Sequence, residues 1–209
     1  MKSIRIVLSA LGLVTVFPAT ASAGALRAGE CGPRVSSLQR SLSAIGYAVG
    51  AVDGCYGTAT SHGVRAFQQA EGLRSTGVAG EATLRALRGG AAPRPAVGGR
   101  GTHLEVDLRL QLLLVVHEGE LEKAYAISTG RAGFETPRGR FRVTRKEVRS
   151  WSVPYGVWLP WASYFNQGIA VHAGAIPGYP ASHGCVRVPA PFAAAIYRRM
   201  PVGTAVIVR

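Results

Sequence analysis

The chain has 209 residues, of which 47 % are apolar and 17 % charged, and its formal net charge is +13. That apolar share excludes a mostly disordered polymer, and the length accommodates one large domain or two small ones. Arginine supplies nearly all the positive charge, since Lys2, Lys123 and Lys146 are the lysines, so the surface suits nucleic acid, an acidic membrane or an acidic wall polymer.

The N-terminus selects among these partners. Lys2 and Arg5 precede an apolar stretch from Ile6 to Val16, and Ala21-Ser22-Ala23 has the form of a signal-peptidase site. Residues 1–23 therefore read as a secretory signal peptide, and the protein is expected in the cell wall, the periplasm or outside the cell. Export argues against nucleic acid as a partner. Beyond the leader no apolar run approaches the ~18 residues of a membrane helix, so no stable membrane insertion is expected after cleavage. An oxidising compartment favours pairing two of the three cysteines. Cys31 and Cys55 lie close in sequence and are expected to form the disulfide, which leaves Cys185 as the odd, reactive thiol.

Residues 24–88 carry helical spacing. Pro33 suits a first helical position, Val35, Leu38, Leu42 and Ile45 follow on one face, and Gly46 closes the segment. A loop around Asp53-Gly54-Cys55-Tyr56-Gly57 leads to a second helix carrying Val64 and Phe67, and a third spans Glu81 to Leu87. Residues 89–101, GGAAPRPAVGGRG, have linker composition. Residues 102–209 read mostly as strands. Leu104, Val106 and Leu108 alternate with polar residues, Leu110 to Val116 is an apolar run apart from Gln111, and Leu121, Lys123, Tyr125 and Ile127 alternate again after a His117–Glu120 turn. Phe141, Val143, Ile169 to Val171 and Ala205 to Val208 extend the strand content, and one helix is expected around Pro191 to Arg199.

The chemistry concentrates between His172 and Arg187. Two histidines and the odd cysteine fall within sixteen residues there. A thiol attacks a carbonyl as the thiolate, so it needs a base within reach or a field that lowers its pKa. His172 ends an apolar strand, and the Gly/Pro-rich loop after it is able to return Cys185 to its side. In an extended segment His183, Cys185 and Arg187 share one face while Val186 and Val188 point inward. Cationic neighbours would then favour the thiolate. Gly184 admits close backbone approach, and the Gly184 and Cys185 amides are candidates for an oxyanion hole. The residues also allow inert packing, or zinc held by His172, His183 and Cys185. No acidic residue follows Glu147, which disfavours a fourth carboxylate ligand and a carboxylate-based glycosidase. Trp151, Tyr155, Trp158, Trp161, Tyr164 and Phe165 precede His172 and suit either a core or the wall of a peptide groove.

Two resemblances sharpen this picture. The first half carries Val35, Leu38-Gln39, Leu42 and Gly46-Tyr47, then Asp53-Gly54, Tyr56-Gly57 and Thr60. Val64, Phe67-Gln68, Gly72-Leu73, Gly80, Thr83 and Leu87 follow. This pattern resembles the peptidoglycan-binding domain type 1 family and implies a three-helix module that binds peptidoglycan. In the second half, Ser182-His183-Gly184-Cys185-Val186-Arg187 follows the strand that ends at His172. Ser128-Thr129-Gly130 and Thr136-Pro137-x-Gly139-x-Phe141 lie upstream. These blocks resemble the catalytic domain of L,D-transpeptidases of the YkuD type and imply a β-sandwich-like fold.

The resemblance implies that Cys185 is the nucleophile, His172 its base (with His183 in reserve) and the Ala173 carbonyl the group that orients His172. His183, Gly184 and Cys185 would line the oxyanion site. Ser182, Arg187 and Tyr164 are expected substrate contacts, Arg187 through a stem carboxylate. The implied reaction releases D-alanine from a tetrapeptide stem and passes the acyl group to an amine of a second stem. Neither metal nor cofactor is implied. Acylation by carbapenem β-lactams is expected, and the protein is expected to act as a monomer.

Overall fold

The computed structural model describes residues 24–209. The expected signal peptide lies outside these residues. Three helices come first: α1 (Pro33–Ala44), α2 (Thr58–Ala70) and α3 (Glu81–Leu87). Val35, Leu38 and Leu42 of α1 and Val64 and Phe67 of α2 are buried, and Phe67 meets Tyr47 edge to face at 5.5 Å. A disulfide joins Cys31, just before α1, to Cys55 in the loop between α1 and α2.

Two glutamines of this module, Gln39 and Gln68, play parallel parts. Gln39 Nε2 donates to Asp53 Oδ1 at 2.9 Å and Thr60 Oγ1 at 3.0 Å, while its Oε1 accepts from Gly54 N at 2.9 Å. Gln68 Nε2 donates to Val78 O at 2.9 Å and Thr83 Oγ1 at 3.0 Å, while its Oε1 accepts from Gly77 N at 2.9 Å. Each buried amide thus pins the loop that follows its helix, which satisfies both ends of a polar group taken out of water. The recurring Leu-Gln and Phe-Gln pairs are therefore framework residues.

Nine strands and a fourth helix follow: β1 (Thr102–Asp107), β2 (Leu112–His117), β3 (Glu120–Ala126), β4 (Gly139–Arg142), β5 (Arg145–Ser152), β6 (Val157–Asn166), β7 (Ile169–Ala173), β8 (Val186–Val188), α4 (Ala190–Arg199) and β9 (Ala205–Val208). They form a five-stranded sheet in the order β3-β2-β1-β9-β4 and a four-stranded sheet in the order β5-β6-β7-β8. The β1–β9 and β7–β8 pairs are parallel, and the rest are antiparallel. Leu104, Val106, Leu113 and Val115 from one sheet share a core with Phe165, Val171, Val186 and Val188 from the other, and Phe192 and Ile196 of α4 complete it. The chain is thus a small all-α unit followed by a mostly-β sandwich.

The outer face of the first sheet is also buried. Leu112, Leu114 and Val116 of β2 and Ala124 and Ala126 of β3 join the core of the helical module. Ala48 N donates to Ala124 O at 3.0 Å, and Ala124 N donates to Gly46 O at 2.9 Å. A strand covered on both sides reads as a continuous apolar run, which is the character of Leu112 to Val116. β1 departs from the half-exposed strand that its alternation suggested. Its polar residues His103, Glu105 and Asp107 are buried too. The Glu105 carboxylate accepts from the Ala96 and Val97 amides, both at 2.8 Å, and Arg209 reaches Asp107 at 3.0 Å. Residues 89–101 contain no helix or strand, yet they lie along the sandwich as a strap and are not a free tether.

The β5–β6 hairpin was not foreseen as strands. Pro154 and Pro160 interrupt the alternation, and the aromatic cluster obscures it. β7 pairs with the Ser163–Asn166 end of β6, so at Pro160 the strand has a neighbour on one side only and the missing N–H costs no ladder bond.

Candidate active site

β7 and β8 run side by side with Val171 opposite Val186 and His172 opposite Arg187. Strand alternation then divides the residues between two faces. Val171, Val186 and Val188 enter the core, while His172, Cys185 and Arg187 line a cleft of about 750 Å³. The hairpin formed by β5 and β6, with a 3-10 turn at Val153–Tyr155, supplies the opposite wall. His183, Ser182, Ala173 and Tyr164 also border this cleft.

His172 is nearly enclosed, at 5 % exposure. Its Nδ1–H donates to the Ala173 carbonyl at 2.8 Å, which leaves the Nε2 lone pair as the free basic position. Burial is the main cause that pushes its pKa down to about 4; Arg187 pushes the same way and the Ala173 bond opposes. Cys185 is a free, half-buried thiol. Its Sγ accepts from the Ala170 amide at 3.5 Å and lies 4.0 Å from Gly168 O. Burial pushes this thiol up, outweighing the opposing effects of the Ala170 bond and Arg187. The expected cationic field therefore does not produce a resting thiolate. Both groups are neutral at pH 7, because burial strips hydration from each charged form, and Arg187 offsets this only in part for the thiolate and works against the imidazolium.

His183 is not a cationic neighbour either. Desolvation lowers its pKa, and Arg131 and Arg187 add to that. Tyr155 stacks on its ring at 4.4 Å, and Phe134 meets it edge to face at 4.8 Å. Phe134 was missed in the sequence, where it sits in a loop without periodic signal.

The turn before Cys185 is held by buried hydroxyls. Ser182 Oγ donates to Cys185 O at 2.6 Å and accepts from Gly184 N at 3.1 Å. Thr136 Oγ1 donates to Gly184 O at 2.8 Å and accepts from Gly130 N at 3.0 Å. Gln111 accepts from Thr129 N at 2.9 Å, and Thr129 O accepts from the Ala181 and Ser182 amides, both at 2.9 Å. Gly184 has φ +111°, a conformation that L side chains rarely adopt.

These bonds revise two expectations. Ser182 is 1 % exposed with its hydroxyl committed, so it shapes the turn and is not free to contact substrate. The Gly184 amide is occupied by Ser182, and of the three candidate oxyanion amides those of His183 and Cys185 are without an acceptor among the described hydrogen bonds. Tyr164 borders the cleft, but its hydroxyl shares a 2.8 Å bond with Ser150 and its ring carries the Arg145 guanidinium at 3.9 Å. Arg187 presents a guanidinium to the cleft with its stem against Gly174.

This arrangement can be set beside known proteins. A family profile for the L,D-transpeptidase catalytic domain (YkuD) matches residues 101–208. The chain belongs to the L,D-transpeptidase family. A profile of the peptidoglycan-binding domain type 1 family matches residues 31–87. The crystal structure of an L,D-transpeptidase from Xylanimonas cellulosilytica is 36 % identical, with a TM-score of 0.82, covering 89 % of this chain and 98 % of that one. An L,D-transpeptidase from Stackebrandtia nassauensis is 27 % identical, with a TM-score of 0.55, covering 87 % of this chain and 93 % of that one. No curated protein gives a significant match. At 89 % coverage, the first likeness extends over the helical module as well as the sandwich. Among the described residues no helix is long and apolar enough to cross a membrane.

Proposed function

We propose that this protein is an exported cysteine L,D-transpeptidase that cross-links peptidoglycan. The observation that supports this most is the placement of His172 on β7 and of Cys185 just before the adjacent β8, both lining one cleft, with His172 held by the Ala173 carbonyl. The Cys185 sulfur attacks the carbonyl of the third residue of a tetrapeptide stem. Its proton passes to His172 Nε2 and then to the amine of the departing D-alanine, as the peptide C–N bond breaks. A thioester remains. An amine of a second stem attacks it, gives its proton to His172 and forms the new amide, and Cys185 recovers a proton from His172. Every atom comes from the two stems, so no cofactor enters the balance.

The developing oxyanion lies against the His183 and Cys185 amides. Arg187 pairs with a carboxylate of the stem. In this reading residues 1–23 direct export, residues 24–88 bind the wall and residues 102–209 carry the reaction. The protein acts as a monomer, and a carbapenem acylates Cys185 through its strained ring amide.

The test is intact mass and product analysis of the mature protein with a disaccharide-tetrapeptide, with and without an acceptor stem. We expect an adduct on Cys185, released D-alanine and a cross-linked dimer, all absent in Cys185→Ala. D-alanine without dimer would make the enzyme a carboxypeptidase. No adduct from a protein with a verified free Cys185 would defeat the proposal.

A further inference from the structure

We infer that Trp151 and Trp158 form a sugar-stacking platform that holds the glycan end of the acyl donor beside the catalytic cleft; this rests on the donor being a peptidoglycan stem. The two residues face each other across the β5–β6 ladder. Their rings meet edge to face at 5.1 Å, and both line the cleft. Trp151 is 48 % exposed and Trp158 47 %. The Arg149 guanidinium lies 4.0 Å from the centre of the Trp158 ring, which fixes that ring from one side.

A cross-strand aromatic pair stabilises a hairpin, and this accounts for the contact between the two rings. It does not account for half of each indole facing solvent at the rim of a substrate cleft. Large aromatic surface in that position gains its full value when a partner covers it. The partner that fits is a pyranose. Its C–H face carries slight positive charge and matches the negative face of an indole, while its hydroxyls stay in water at this open rim.

The spacing agrees with the stem. Tyr155, stacked on His183, marks the catalytic end of the hairpin. Trp158 follows it by three positions, about 10 Å of extended chain at most. In the donor, the backbone of the third residue itself, two further amino acids and a lactyl link separate the attacked carbonyl from the sugar. An extended peptide covers about 3.3–3.6 Å per residue, so the sugar stands up to roughly 14 Å from the reacting carbon, far enough to pass Tyr155 and reach Trp158.

Binding separates this inference from the catalytic one. Cys185→Ala protein, which cannot turn over, is titrated by calorimetry with a disaccharide-tetrapeptide and with the same tetrapeptide lacking sugar. We expect the sugar to tighten binding about tenfold, a gain of the size that aromatic contacts supply. Trp158→Ala and Trp151→Ala should each remove most of that gain, and Trp158→Phe should keep part of it. Equal affinity for the two ligands, no binding of either, or a sugar gain that survives both alanine changes would overturn the platform. So would persistence of the sugar gain with loss of association to anionic phospholipid vesicles, which would make the pair a lipid anchor. Failure of D-alanine release by the protein with Cys185 intact would defeat the transpeptidase reading alone, because sugar-dependent binding is measured without turnover.

Discussion

Cys185 is subject to opposing influences whose sum decides how it reacts. Burial raises the thiol, while Arg187 and the Ala170 amide lower it, and burial prevails. Burial also holds His172 neutral, with a pKa pushed down to about 4. The resting pair is thiol and imidazole, in contrast to the thiolate and imidazolium of a preformed ion pair. The sign of the pH dependence follows. Cys185 loses its proton only above the ordinary thiol range, so its alkylation by iodoacetamide should climb steadily from pH 7 to pH 9. An ion pair would instead plateau near neutrality, and a plateau there would refute the neutral pair. The motif made Cys185 and its two histidines legible in the sequence as candidates for a reacting cluster. Their protonation was not legible, because it depends on how much water the folded cleft removes.

The turn that carries Cys185 is built from segments far apart in the chain. Thr136 and Gly184 are bonded across 48 positions, and Ser128 and Tyr179 across 51. Gly130 is the tightest point of this assembly. A Cβ there would stand 1.9 Å from Phe134 O and 2.7 Å from Thr136 N, both backbone atoms that cannot turn aside. Gly130→Ala should therefore open the turn and break the Thr136 bridge to Gly184. We expect a stability loss of roughly 2–4 kcal/mol in denaturant unfolding and a clear fall in D-alanine release. Full activity with unchanged stability would show that the bridge does not position Cys185. Ser128-Thr129-Gly130 and Thr136 were visible as motif blocks. Their joint purpose was not, since hydrogen bonds over such separations leave no local periodicity. The β5–β6 hairpin escaped for a related reason: Pro154 falls in the 3-10 turn, and Pro160 lies where β7 does not reach β6.

At the scale of the whole molecule the helical module and the sandwich share a core. Leu112, Leu114, Val116, Ala124 and Ala126 face the helices, while Leu113 and Val115 face the second sheet. The catalytic loop also meets the module, where a Cβ at Gly178 would lie 3.1 Å from Ser75 O. Residues 24–209 should therefore unfold in one calorimetric transition. A fragment of residues 102–209 should bind a hydrophobic dye or aggregate, since it exposes a contiguous apolar face. Two separate transitions in the longer chain, or a soluble and inert fragment, would contradict the shared core.

Helical spacing, turn residues, the apolar runs of the strands and the Ser182–Arg187 motif were all written locally in the chain, because a period of 3.6 or 2 needs only near neighbours. The disulfide partners were readable for a similar reason, since Cys31 and Cys55 lie only 24 positions apart. The docking of the module, the role of residues 89–101 as a strap, the commitment of the Ser182 hydroxyl and the neutral state of His172 and Cys185 came from the tertiary structure alone. Each depends on which surfaces lose water when distant segments meet, and burial of that kind belongs to the assembled fold.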